Sequence, residues 1–315
     1  SKLAFWRSDD AKAKALRYQV RLKGTEAETA LAVYQDDGAP ANNETGKRIA
    51  CLWFELLKYS AMRFGCLGSG SKGNAWLVQA GDTVVMVDCG FGPREAAKRL
   101  TRLGLDVSDL NAILVTHEHG DHARGAAQLA SKARCPVWLT HGTLAMLDAS
   151  DNAPLSTNCI EAQPKLNIGD LEITPYTVPH DAREPMQFVF SDGAHRFGLL
   201  TDAGHVTPHM QQVLSDCDAL ALECNHDVVR LQTGAYPAAL KRRILGRYGH
   251  LDNATAAGLL KNIAGSRLKH VVAAHLSEHN NAPELARAAL AGALGCEHDW
   301  IGVADQETGL DWREI

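Results

Sequence analysis

A chain of 315 residues is longer than one ordinary core needs, and a formal net charge of −5 removes any global electrostatic case for nucleic-acid or membrane-surface binding. No apolar run reaches the ~18 residues of a membrane span and no signal-peptide segment is visible, so a cytoplasmic location without membrane partners is expected. The eight cysteines lack the paired spacing of a zinc ribbon or a disulfide framework and are expected to be reduced.

Residues 1–61 form an N-terminal extension of unassigned role. They include a charged, alanine-containing stretch at 11–17, a polar linker-like stretch at 35–48 and an apolar stretch at 51–59 able to pack as a short helix. Met62 is a plausible genuine start, and residues 62–315 read as one hydrolase domain. Its first strand is expected at 62–68, followed by the glycine-serine loop Gly68-Ser69-Gly70-Ser71-Lys72-Gly73-Asn74, whose amides could cradle an anionic oxygen. Residues 75–78 and 83–87 read as paired strands, 93–103 as a helix ended by Gly104, 111–115 as a buried strand and 123–132 as a helix. Further on, apolar strands are expected to end near His180, Asp202 and His275, and a helix over 254–263 is capped by Asp252 or Asn253. Cys66, Cys89 and Cys135 read as core residues, while Cys224, beside Glu223, is expected nearer the chemistry.

The most specific signal is Thr116-His117-Glu118-His119-Gly120-Asp121-His122 on the turn between the 111–115 strand and the next helix. His117 and His119, two apart in an extended turn, point the same way and can grip one ion, while Asp121 and His122 swing toward a second. Imidazole and carboxylate suit zinc, manganese or iron, with zinc the default. A solvated polar turn would instead require each buried imidazole to find its own partner.

The pattern His-x-His-x-Asp-His resembles the signature of the metallo-β-lactamase superfamily. That resemblance implies an α/β fold, a four-layer αββα sandwich, with His180, Asp202 and His275 as later ligands. It places one ion on His117, His119, His180 and Asp202, and the other on Asp121, His122, Asp202 and His275. The glycine-serine loop, Gly249-His250-Leu251-Asp252-Asn253 and His275-Leu276-Ser277 occur in an order similar to the YycJ-like (WalJ) subgroup and, more distantly, to endonucleases of the tRNase Z type. From these it carries over His250 as a histidine near a scissile phosphate and Glu223 as the acid that orients it. Leu222 departs from the His-Glu of the endonucleases and no tRNA-gripping arm is visible, which argues against tRNA 3′ processing.

The implied enzyme is a binuclear metal phosphodiesterase, a nuclease acting 5′ to 3′ as an exonuclease on DNA. Asp121, His250 and Glu223 would be catalytic. Ser69, Ser71, Lys72, Asn74, His226 and Ser277 are candidates for substrate contact, with His141 at the rim. Alternatives are a lactonase or thioesterase, a β-lactamase-type hydrolase, a small-molecule cyclic phosphodiesterase, or a non-enzymatic module on the same fold.

Overall fold

The computed structural model describes strands within 1–61 and residues 62–148, 156–161 and 165–315. The chain divides into two compact units, Ser1–Ala61 and Met62–Ile315. In the first, β1 (Phe5–Trp6), β2 (Tyr18–Lys23) and β3 (Ala30–Gln35) form an antiparallel sheet in that order. Residues 36–48 of the expected linker and the helix at 51–59 lie outside the described residues; Gln35 ends β3.

The second unit holds two seven-stranded sheets of matching design. The first runs β17 (Leu310–Glu314), β4 (Arg63–Gly68), β5 (Ala75–Ala80), β6 (Thr83–Val87), β7 (Leu110–Leu114), β8 (Val137–Leu139) and β9 (Thr157–Cys159). The other runs β10 (Leu166–Ile168), β11 (Leu171–Thr177), β12 (Met186–Ser191), β13 (Arg196–Leu200), β14 (Ala219–Glu223), β15 (His270–Ala274) and β16 (Gly302–Val303). Each begins with antiparallel pairs and switches to parallel pairing at its fourth strand, β6 or β13.

Strand alternation sets the layers, because successive side chains point to opposite faces. Val85, Val87, Ala112 and Leu114 of the first sheet meet Phe188, Phe190, Phe197 and Ala221 of the second in one apolar core. Phe64 stacks on Phe197 at 4.3 Å between centroids, a geometry that adds about 1 kcal/mol to simple burial. The intervening residues of the first sheet, such as Met86 and Ile113, face α1 (Pro93–Arg102) and α3 (Ala126–Ala133). Those of the second, such as Leu220, Leu222 and Val271, face α5 (Pro208–Leu214), α8 (Asn253–Ile263) and α9 (Pro283–Leu294). Helix, sheet, sheet and helix thus make the expected four layers.

One local expectation needs correction. In place of a single helix over 123–132, a short turn α2 (Gly120–Ala123) precedes α3. The break falls at Gly125, whose N–H donates to Cys89 O at 2.7 Å and where a Cβ would lie 1.9 Å from Phe91 O. Tertiary contact with the loop after β6 overrides helix continuation there. The remaining α-helices among the described residues are α4 (His141–Asp148), α6 (Val228–Thr233) and α7 (Ala238–Ile244).

Candidate metal centre

Loops that follow β6, β7, β11, β13, β14 and β15 converge on one cluster. After β7, the seven-residue histidine turn is clamped by the loop between β4 and β5 and by the loop after β6. Asn74 N donates to Asp121 O at 2.7 Å, and Cys89 N donates to His122 O at 2.7 Å. Gly90 packs so tightly that a Cβ there would lie 1.8 Å from Asp121 O. This clamp fixes which way each ligand side chain points.

The structure gathers all seven expected ligands. His117, His119 and His180 form one trio and Asp121, His122 and His275 another, each with one donor atom per residue within 4.8 Å of the others; Asp202 joins His117 and His122 in a third group. His117 Nε2 is 2.9 Å from His119 Nδ1, which is 3.3 Å from His180 Nε2. Asp202 Oδ2 lies 3.1 Å from His122 Nε2, and Asp202 Oδ1 lies 3.2 Å from His275 Nδ1. Asp202 Oδ1 also lies 3.9 Å from His180 Nε2 of the other trio, so Asp202 reaches both, as a bridging carboxylate would.

Electrostatics fit such a use. Burial drives the His117 imidazole well below its ordinary range, and the charge of His122 adds to the fall. Burial would lower His122 too, but the charges of Asp202 and Asp88 raise it well above. Burial would lower His275, but Asp202, Asp121 and Glu223 together raise it to about 10. Burial opposes ionisation of Asp121, yet His122 and His275 bring it down to about 2. Protons on His122 and His275 thus occupy lone pairs that divalent ions compete for. Asp202 Oδ2 and His275 Nε2 are buried without a hydrogen-bond partner. Unsatisfied buried atoms of this kind are costly, and a cation would satisfy both.

Glu223, the last residue of β14, is fully buried and joins three loops. Its Oε2 accepts from Ala203 N at 2.9 Å and Leu251 N at 3.1 Å. Its Oε1 lies 2.7 Å from His250 Nδ1 and 3.3 Å from His275 Nδ1. Glu223 also falls within 4.8 Å of donors on Asp202, His250 and His275, and its four contacts fit a residue that orients these neighbours. Burial alone would lower His250; the charge of Glu223 and hydrogen bonds to Asp202 and Glu223 raise it to about 9.

A cleft of about 420 Å³ opens over the cluster, lined by Ser71, Asp121, Asp202, His250, His275 and Ser277 among others. Four of the six expected substrate contacts, Ser69, Lys72, Asn74 and His226, do not line it. Ser69 and Asn74 are buried: Ser69 Oγ is 3.2 Å from Asn74 Oδ1 and accepts from His275 N at 2.9 Å. That contact helps hold His275 at φ 52°, a left-handed conformation uncommon for residues other than glycine. Lys72 pairs with Glu278 over an adjoining cavity of about 400 Å³ that shares Ser71 and Ser277 with the cleft. His226 is buried with neither ring nitrogen hydrogen-bonded, and it makes no bond to Glu223. His141 is exposed at the start of α4. Cys224 is buried and its thiol is pushed up by burial, so it is a core residue beside the site.

Sequence reasoning missed Asp88. It is fully buried at φ 63°, accepts from Thr116 N at 2.8 Å, and its Oδ2 lies 2.7 Å from His122 Nδ1. Its only local signal is a carboxylate directly after a strand, in Val87-Asp88-Cys89-Gly90. Tyr236 and Arg243, also on the cleft wall, carried no motif.

Residues 83–275 match the family described as the beta-lactamase superfamily domain. The chain is 36% identical over 246 residues to exodeoxyribonuclease YycJ of Bacillus anthracis, covering 78% of this chain and 92% of that protein. It is 32% identical over 260 residues to exodeoxyribonuclease WalJ of Streptococcus pneumoniae, covering 80% and 92%. The metallo-beta-lactamase fold protein YhfI of Bacillus subtilis superposes with a TM-score of 0.64 at 17% identity, over 81% of this chain and all of that one. The chain belongs to the metallo-β-lactamase superfamily of metal-dependent hydrolases, in its YycJ/WalJ-like subgroup.

Proposed function

We propose that the protein is a phosphodiesterase acting on nucleic acid in the cytoplasm, an exodeoxyribonuclease that works 5′ to 3′. Two divalent ions, zinc or manganese, would be held by His117, His119, His180 and Asp202 on one side and by Asp121, His122, Asp202 and His275 on the other. The donor set of neutral imidazoles and carboxylates suits either metal. Such ions supply Lewis acidity, lowering the pKa of water toward ~7 and offsetting charge that builds on a phosphoryl oxygen.

The observation that supports diester chemistry is the His250–Glu223 pair, at 2.7 Å. His250 lies on the cleft wall outside the seven proposed ligands, and Glu223 keeps it protonated at neutral pH. A protonated imidazole facing the cleft stabilises charge on an anionic reacting centre and gives its proton to the departing alkoxide oxygen. Asp121, the most exposed of the three cluster carboxylates, orients the attacking water. The printed names of the YycJ and WalJ relatives support DNA as the substrate.

A substrate panel tests the reading. Metal-loaded protein is incubated with bis(p-nitrophenyl) phosphate, end-labelled single-stranded and duplex DNA, a lactone and nitrocefin. Turnover of the diester and stepwise loss of a DNA 5′ end are expected. Lactone or nitrocefin turnover without diester turnover contradicts it and makes a lactonase, thioesterase or β-lactamase the better description.

A further inference from the structure

Between β14 and β15 the chain carries an unusual stretch of charge. Residues 228–250 contain Arg230, Lys241, Arg242, Arg243 and Arg247 and no Asp or Glu, in a chain whose net charge is −5. Two of these cations are used internally. Arg230 Nη1 donates to Asn281 O at 2.8 Å, and Lys241 Nζ to Gly234 O at 2.6 Å. Arg243 pairs with Asp181 and lines the metal cleft. Arg242 and Arg247 are exposed, and neither guanidinium has a partner among the described residues. Next to Arg247, Tyr248 is 59% exposed.

This edge is fixed to the metal loops. His180 Nδ1 donates to Gly249 O at 3.0 Å, His205 Nδ1 to Arg247 O at 2.8 Å, and Asp181 N to Tyr248 O at 3.0 Å. A Cβ on Gly204, two residues past Asp202, would lie 2.3 Å from Arg247 O. Arg247 and Tyr248 are therefore held against the same backbone that presents His180 and Asp202.

We propose that residues 242–248 form the track along which a single strand of nucleic acid enters the metal cleft, its phosphates on Arg242, Arg243 and Arg247 and an unstacked base on Tyr248. The chemistry of the occupant rests on the diesterase reading above. The unpaired Arg242 and Arg247 complement a polyanion, Arg243 would exchange Asp181 for a phosphate at the cleft, and an exposed aromatic face complements an unpaired base, which a duplex offers only at its ends.

The test is anisotropy of a fluorescein-labelled single-stranded oligonucleotide with phosphorothioate linkages on metal-loaded protein at 50 and 200 mM salt, beside a blunt duplex. Arg242→Glu with Arg247→Glu should weaken single-strand binding about tenfold or more and reduce the salt slope by roughly 1.4, about 0.7 per lost phosphate contact. Lys98→Glu with Lys132→Glu, equal in charge but on the outer helices α1 and α3, should leave both unchanged. Tyr248→Ala should weaken the single strand more than the duplex. Equal weakening by the two double variants, an unchanged slope, or equal effects of Tyr248→Ala on both nucleic acids overturns the track. Bis(p-nitrophenyl) phosphate turnover by the wild type separates the two readings. Strand binding that depends on Arg242 and Arg247 without diester turnover keeps the surface and removes the diesterase, and the reverse removes the surface.

Discussion

Two buried carboxylates outside the cleft lining, Asp88 and Glu223, hold the cluster's histidines in place. Asp88 spends its charge on Thr116 and His122, and Glu223 spends its own on His250, His275 and two backbone amides. Groups that hold a metal-binding imidazole in one tautomer and orientation typically matter 10–100-fold for metal affinity. Asp88→Asn should accordingly weaken metal binding by about 10- to 100-fold while the chain still folds, read by competition with a chromogenic chelator. Affinity equal to wild type would show that the backbone clamp alone positions His122. The Glu223–His250 pair was expected from the resemblance, but the role of Asp88 was not legible in the sequence, because its bond to His122 joins positions 34 residues apart and a single aspartate after a strand has many ordinary explanations. The ligands themselves were legible: four fall within six residues, and the other three each follow a short apolar run.

Among the elements, strand ends and the loops between them position the chemistry, and helices serve as backing. The histidine turn is shaped by the loop after β6, where Gly90 lets Asp121 O approach. Gly90→Ala puts a methyl carbon inside that carbonyl, so the turn must shift. We expect loss of one or both ions in elemental analysis, with a melting temperature lower by several degrees for a cost of about 1–3 kcal/mol. Unchanged metal content would mean that the turn tolerates the displacement. The strands and the helix over 253–263 were readable from alternation and from the Asp252 cap, which accepts from Ala254 N and Thr255 N. The split of α2 from α3 was not, since it depends on a contact with Phe91 O that no helical periodicity encodes. In the glycine-serine loop Ser71 lines the cleft, while Ser69 and Asn74 turn inward to hold His275 and one another, for a related reason not visible in the sequence. The cationic run at 228–250 was present in the sequence but hidden by averaging over an acidic chain.

At the scale of the whole domain, two sheets of the same pairing design face each other across an aromatic core, and the proposed ligands come from both. Ions bound there tie the sheets together, and any ligand that binds only the folded state adds RT ln(1 + [L]/Kd) to stability, about 2.7 kcal/mol at one hundred times Kd. Chelator should lower the melting temperature, and zinc or manganese should restore it; a transition indifferent to chelator would contradict a centre shared between the sheets. The central claim is that this centre acts on phosphodiesters through a histidine that binds no metal. It is tested most directly by kcat of His250→Ala on bis(p-nitrophenyl) phosphate, with metal content measured on the same sample. Full metal occupancy with kcat lower by about 10²- to 10⁴-fold is the expected result, and near-normal turnover at full occupancy would contradict the account.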